Sequence, residues 1–171
     1  YRTGIELIVD DYKPKAKENR LELSEIEEVY FDAYRIKVGD SKEGWVGALR
    51  HFFELVTNPR FKEVDKVYVD FSSVRPKGER LQTFGGTASG HESLKVMFEK
   101  IHKVLEKAGG KLKPVDAMDI ANIIGENVVV GGVRRTSEIC LFGADDDEIL
   151  TSKDNIYFQD EDGNWGQNDE I

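Results

Sequence analysis

A chain of 171 residues with 39% apolar side chains is long enough for one core of ordinary size, and none of its apolar runs approaches the roughly 20 residues needed to span a bilayer. A formal charge of -9 and a pI near 4.9 exclude non-specific affinity for nucleic acid or anionic membrane, because the field of the whole molecule repels polyanions. Cys140 is the only cysteine, so no intrachain disulfide forms; with no secretory leader pattern the expected compartment is cytoplasmic, and Tyr1 in place of Met points to a piece of a longer polypeptide.

The short apolar run Ile5 to Val9 reads as a strand, followed by a charged, solvated loop from Asp10 to Arg20 that carries Pro14. Aromatic and β-branched residues from Val29 to Val38 predict one further strand. Asp40-Ser41-Lys42-Glu43 reads as a helix cap with a carboxylate three residues on, and Trp45, Leu49, Phe52, Phe53 and Val56 recur at helical spacing up to Thr57-Asn58-Pro59. Lys66 to Phe71 is a strand with Val67, Val69 and Phe71 on one face. From Leu94 through Met97, Phe98, Ile101, Val104 and Leu105 to Ala108 runs the clearest helical stripe, capped at its start by Ser89 or Gly90 and closed by Gly109-Gly110. Pro114 and Asp116 open another helix whose buried face is Met118, Ala121, Ile124 and Val128, ending at Gly131. Ile139 to Phe142 is expected to be a short core strand that buries Cys140 as a small hydrophobe, and beyond Ala144 the chain turns acidic and polar. This order is an α/β pattern with its functional loops at strand ends.

Two glycine-bearing segments concentrate the chemistry. Arg75-Pro76-Lys77-Gly78 runs into Phe84-Gly85-Gly86-Thr87-Ala88-Ser89-Gly90, where glycine backbone can turn amides toward an anion and Thr87 and Ser89 offer hydroxyls. Neither G-x-x-x-x-G-K-[ST] nor G-x-G-x-x-G is met, and a plain strand-to-helix turn is the alternative reading. The second segment, Gly131-Gly132-Val133-Arg134-Arg135-Thr136-Ser137, sets two guanidinium groups after a flexible pair, an unusual concentration of anion-binding groups in an acidic chain. Its Arg-Arg-Thr-Ser string also has the form of a basophilic kinase site, a match short enough to arise by chance. His51, His91 and His102 have no partners at ligand spacing, so no zinc site is expected. The acidic runs Asp145 to Glu148 and Asp160 to Asn164 read as solvated loops, since a loop begun at Asp160 puts Trp165 where an EF-hand needs glycine and Ile171 where it needs glutamate. No G-x-S-x-G elbow occurs.

Several ungapped blocks together resemble the adenosylcobalamin-dependent (class II) ribonucleoside-triphosphate reductases: Asp40 to Trp45, Val69 to Gly78, Phe84 to Gly90, Val115 to Ile120 and Val128 to Glu138. The resemblance runs from about residue 38 to 150 and implies part of the ten-stranded α/β barrel of ribonucleotide reductases. Residues 1–37 stand outside it, as the tail of an inserted region, and residues 151–171 form an acidic polar segment. It further implies a complete enzyme that reduces ribonucleoside triphosphates by cysteine thiyl-radical chemistry with adenosylcobalamin, is regulated by deoxynucleotide effectors and draws electrons from a thioredoxin-type reductant. By the same resemblance Arg75, Lys77 and Gly78 belong to a first specificity loop, and Gly131, Gly132, Arg134, Arg135, Thr136 and Ser137 to a second. Gly85, Gly86, Thr87, Ser89 and Gly90 would lie toward the substrate. His91 departs from the proline usual after Ala-Ser-Gly, and Gly132 from an asparagine of some members. Ribose reduction needs a radical cysteine and a dithiol, which one cysteine cannot supply, so no catalytic residue is expected here and the isolated chain is expected to be inactive. The alternatives are a non-catalytic deoxynucleotide-binding module or split subunit, and an α/β domain with incidental glycine loops.

Overall fold

A computed structural model describes residues 1–82, 85–130 and 136–168. Strands β1 (Glu6–Val9), β2 (Glu25–Tyr30), β3 (Ala33–Lys37) and β4 (Lys66–Asp70) form one sheet in the order β1-β4-β3-β2. β1 and β3 both run parallel to β4, while β2 is antiparallel to β3. Parallel neighbours need a crossover, and helix α1 (Lys42–Thr57) supplies it between β3 and β4. Helices α2 (Glu92–Ala108) and α3 (Pro114–Val130) follow, then a short α4 (Asp147–Thr151) and a small hairpin, β5 (Tyr157–Gln159) with β6 (Trp165–Gln167). The architecture is α/β, and among the described residues no helix is long and apolar enough to cross a membrane.

Register puts Ile36, Val67 and Val69 on one face of the sheet, and all three are fully buried. Phe52 and Leu55 of α1 and Leu94, Phe98 and Ile101 of α2 close over this face, with Phe98 edge-on both to Phe52 at 5.8 Å and to Phe71 at 6.2 Å. The opposite face is polar: Arg35 pairs with Asp10 and Glu27 and lies over the Tyr68 ring.

Several elements depart from expectation. The run Val29–Val38 is not one strand but the end of β2, a turn at Phe31-Asp32, and β3; the Asp32 carbonyl accepts from the amides of Asp65 and Lys66, which holds the turn against the start of β4. Ser41, not Asp40, caps α1, accepting from the Gly44 amide at 2.8 Å. His91 is the cap position of α2 and makes no side-chain cap bond, so neither Ser89 nor Gly90 has that role. Gly109 closes α2 in the left-handed region, φ 69°, as its sequence position requires. On α3 the expected face is only half-buried, and Ile120 and Asn127 are the buried residues; among the described elements α3 packs chiefly on α2 and has an open outer side. Residues 139–142 are not a strand, and Ile139, Cys140 and Leu141 are exposed, since no strand lies beside them among the described residues to pair with or bury them. The acidic run at 145–148 is partly α4, capped by Asp146, and the tail holds the β5–β6 hairpin.

Candidate functional site

The end of β4, the start of α1 and the glycine-bearing segment converge. After β4, Phe71 to Val74 turn back, with the Val74 amide bonded to the Phe71 carbonyl, and deliver Arg75 to Asp40 at the mouth of α1. Arg75 grips that carboxylate three ways: its backbone N–H donates to Oδ1 at 3.1 Å, its Nε reaches both oxygens at 3.1 Å, and Nη2 lies 3.1 Å from Oδ2.

Beyond Arg75 the two halves of the first glycine-bearing segment fold onto each other. The Gly78 amide donates to the Ala88 carbonyl and the Ala88 amide to the Glu79 carbonyl, with an isolated antiparallel bridge between Arg80 and Thr87. Gly90 sits at φ +82°, and a Cβ there would meet the Lys77 backbone nitrogen at 3.2 Å, so both conformation and proximity select glycine.

Two cavities share Asp40 and Arg75. One, about 180 Å³, lies between the start of α1 (Ser41, Lys42, Trp45) and the segment Thr87 to Gly90, with Val74 and Leu81 as apolar wall. The other, about 320 Å³, gathers Lys17, Arg20, Arg75 and Arg80 against only Asp40 and Glu79. An excess of cationic groups inside a chain of charge -9 favours an anion in this cavity. The amide end of a 16-residue helix at the adjoining cavity adds positive potential of its own.

Glu79 is held below the ordinary carboxylate range chiefly by its hydrogen bond to Arg20, whose own guanidinium is driven further toward the charged form by the same bond. His91 is pushed below the usual histidine value by burial, packed between Tyr12 (ring centroids 3.8 Å apart) and Phe71 (5.4 Å).

Of the residues singled out from sequence, Arg75, Thr87, Ser89 and Gly90 line the first cavity. Lys77 and Gly78 are exposed on the rim of the fold, as are Gly85 and Gly86. Thr136 and Ser137 are exposed, with the Thr136 methyl lying where a side chain on Gly125 of α3 would reach it, at 3.6 Å. Gly131, Gly132, Arg134 and Arg135 lie outside the described residues. Sequence reasoning read Asp40, Ser41 and Lys42 only as a helix start and missed them, Trp45 and Arg20 as site groups; an acid directly ahead of a capping serine, left over once the cap is assigned, was the available signal.

Comparisons with known proteins converge on one group. The family model described as "B12-dependent ribonucleotide reductase, insertion domain" matches residues 6–105, a span that begins well before residue 38. An adenosylcobalamin-dependent ribonucleoside-triphosphate reductase of Lactobacillus delbrueckii subsp. bulgaricus is 43% identical over 126 residues, covering 71% of this chain and 17% of that protein. One of Levilactobacillus brevis is 39% identical over 142 residues, 79% of this chain and 18% of the other. The chain thus spans less than a fifth of the length of these curated relatives. A crystal structure of a B12-dependent (class II) ribonucleotide reductase superposes with a TM-score of 0.67 at 30% identity, over 89% of this chain and 22% of that one.

Proposed function

The chain belongs to the B12-dependent (class II) ribonucleotide reductase family, and from that premise we propose that it is the nucleotide-recognising segment of the catalytic subunit of a ribonucleoside-triphosphate reductase. On this reading the chain is part of a subunit built on the ten-stranded α/β barrel, and it is a cytoplasmic enzyme's regulatory and positioning region. The observation that carries the reading is the pair of cavities joined at Asp40 and Arg75.

A deoxynucleoside triphosphate effector fits that pair. Its phosphates meet the cationic cavity, with Arg75, Arg80 and Lys17 as charge partners, while the base enters the smaller, more apolar cavity beside Trp45. Arg75, Lys77 and Gly78 act as the first specificity loop, Gly131 to Ser137 as the second, and residues 85–90, which help wall the base's cavity, stand between it and the ribonucleoside triphosphate. Effector and substrate are coupled because each effector favours a different arrangement of these loops.

In the complete enzyme adenosylcobalamin supplies the radical, and a thioredoxin-type protein the electrons. Cavities of about 180 and 320 Å³ are at or below the low end of the roughly 300–1,000 Å³ of an ordinary ligand pocket, so the residues described do not fit a corrin. Binding that cofactor and carrying the thiyl and dithiol cysteines fall to the rest of the subunit.

The test is a titration of the complete reductase and of its Trp45→Phe variant with dATP, dGTP, dCTP and dTTP, taking as the signal the part of the fluorescence change that Trp45→Phe removes. A saturable change with at least one of them, lost in Arg75→Ala, is expected; no response together with no binding by equilibrium dialysis would falsify the reading.

A further inference from the structure

Apart from Lys17, residues 12–22 were given no part in the nucleotide contacts just described, yet they are tied across the first loop at every few residues. The Lys15 amide donates to the Ser72 carbonyl at 2.9 Å, the Leu21 amide to Ser73 Oγ at 3.1 Å, and the Tyr12 hydroxyl to the Val74 carbonyl at 2.6 Å. At the far end Arg20 grips Glu79 with a two-pronged fork, Nη1 to Oε1 at 2.7 Å and Nη2 to Oε2 at 2.8 Å. Both side chains are sheltered, 9% and 16% exposed, so water and salt screen this pair little. Its Nε is fixed as well, donating to the Lys15 carbonyl at 3.0 Å.

Glu79 and Arg75 line the same cavity. Lys17 Nζ lies 3.9 Å from Glu79 Oε1 but is largely exposed, so a carboxylate released by Arg20 turns also to the Arg75 guanidinium in the same cavity and competes with a phosphate for it. We propose that Arg20 is a positioning residue for the nucleotide site: by holding Glu79 in its fork it keeps that carboxylate off Arg75, which stays on Asp40 with its charge available to the ligand. This strap over the first loop therefore sets how tightly the site binds an anion. The inference rests on the nucleotide reading above. Arginine is the residue for the task because only its planar fork fixes both carboxylate oxygens at once.

The test uses the complete reductase and equilibrium binding of the four deoxynucleoside triphosphates. Arg20→Ala should weaken the effector that binds most tightly by roughly tenfold, the scale of one lost charge-assisted contact. The double variant Arg20→Ala/Glu79→Gln should bind within about threefold of the parent, because the competing charge is gone. A brace with no electrostatic role leaves the double variant as weak as the single one or weaker, and that result, or a single variant that binds like the parent, overturns the proposal. If the parent enzyme binds none of the four, the nucleotide reading fails by itself. The crystal structure of the Arg20→Ala variant then decides the strap: Glu79 within about 4 Å of Arg75 supports it and Glu79 left apart overturns it.

Discussion

Arg75 is bound to Asp40 through its backbone amide as well as its guanidinium, across 35 positions of sequence. One carboxylate thereby fixes both where the loop leaves β4 and where its positive charge points. Charge-assisted bonds of this kind contribute about 1.5–3 kcal/mol. Arg75→Ala in the complete reductase is therefore expected to weaken deoxynucleotide binding by roughly 10- to 100-fold. Arg75→Lys should recover only part of it, having no fork; full recovery in equilibrium dialysis would count against a geometric role.

His91 predicts a pH effect with a definite sign. Burial under Tyr12 and Phe71 favours the neutral ring, with Glu92 opposing and Lys95 reinforcing that shift. A histidine whose value is lowered on folding is protonated first in the unfolded chain. Its contribution to stability is thus complete above the ordinary value of about 6.5 and declines as pH falls from there to the lowered folded value. Urea unfolding of the chain between pH 8 and 5 should show a steeper loss for the parent than for His91→Phe, which keeps the stack without the titration.

At Gly44 a side chain has no room: a Cβ would stand 2.6 Å from the Glu22 carbonyl oxygen and 2.8 Å from the Gly39 backbone. Gly44→Ala must push the end of the strap away from the start of α1, at a cost of about 1–3 kcal/mol. Gly47, where the nearest atom is the Ser24 Cβ at 3.8 Å, should accept alanine without loss. Equal melting temperatures for the two variants would contradict this difference.

Cys140 is exposed. The native chain should react with a thiol reagent such as DTNB at the rate it shows in urea, within about an order of magnitude. Strong protection in the native state would mean that residues 139–142 are buried as their sequence pattern suggests.

Arg134→Ala or Arg135→Ala in the complete enzyme should change which substrate each effector promotes more than it changes stability. Selectivity ratios measured with pairs of ribonucleoside triphosphates check this, and unchanged ratios in both variants would remove these residues from the second loop.

How far the sequence announced this arrangement depends on the range of the interactions involved. α1 and α2 were legible because Phe52 and Val56, or Leu94, Met97, Phe98 and Ile101, repeat on one helical face, and Gly109 marks a stop that local geometry demands. β4 was legible from the alternation of Val67, Val69 and Phe71. The β2–β3 hairpin was hidden because Phe31 continues an apolar run straight through the turn. Residues 139–142 carry a strand's composition, but a strand also needs a neighbour. The resemblance of Phe84 to Gly90 and of the second segment led to the right family without revealing the cavities. Asp40 meets Arg75, and Arg20 meets Glu79 59 positions away, through pairings that no local pattern encodes.

β1 pairs with β4, Glu6 beside Lys66, so sixty residues separate the two halves of this contact. At synthesis rates of roughly 5–20 residues per second, β1 waits about 3 to 12 s after leaving the ribosome before its partner exists. The β3–α1–β4 unit, whose contacts are nearer in sequence, can assemble first. β1 then docks after that unit, and slow steps in the maturation of this region should include that closure.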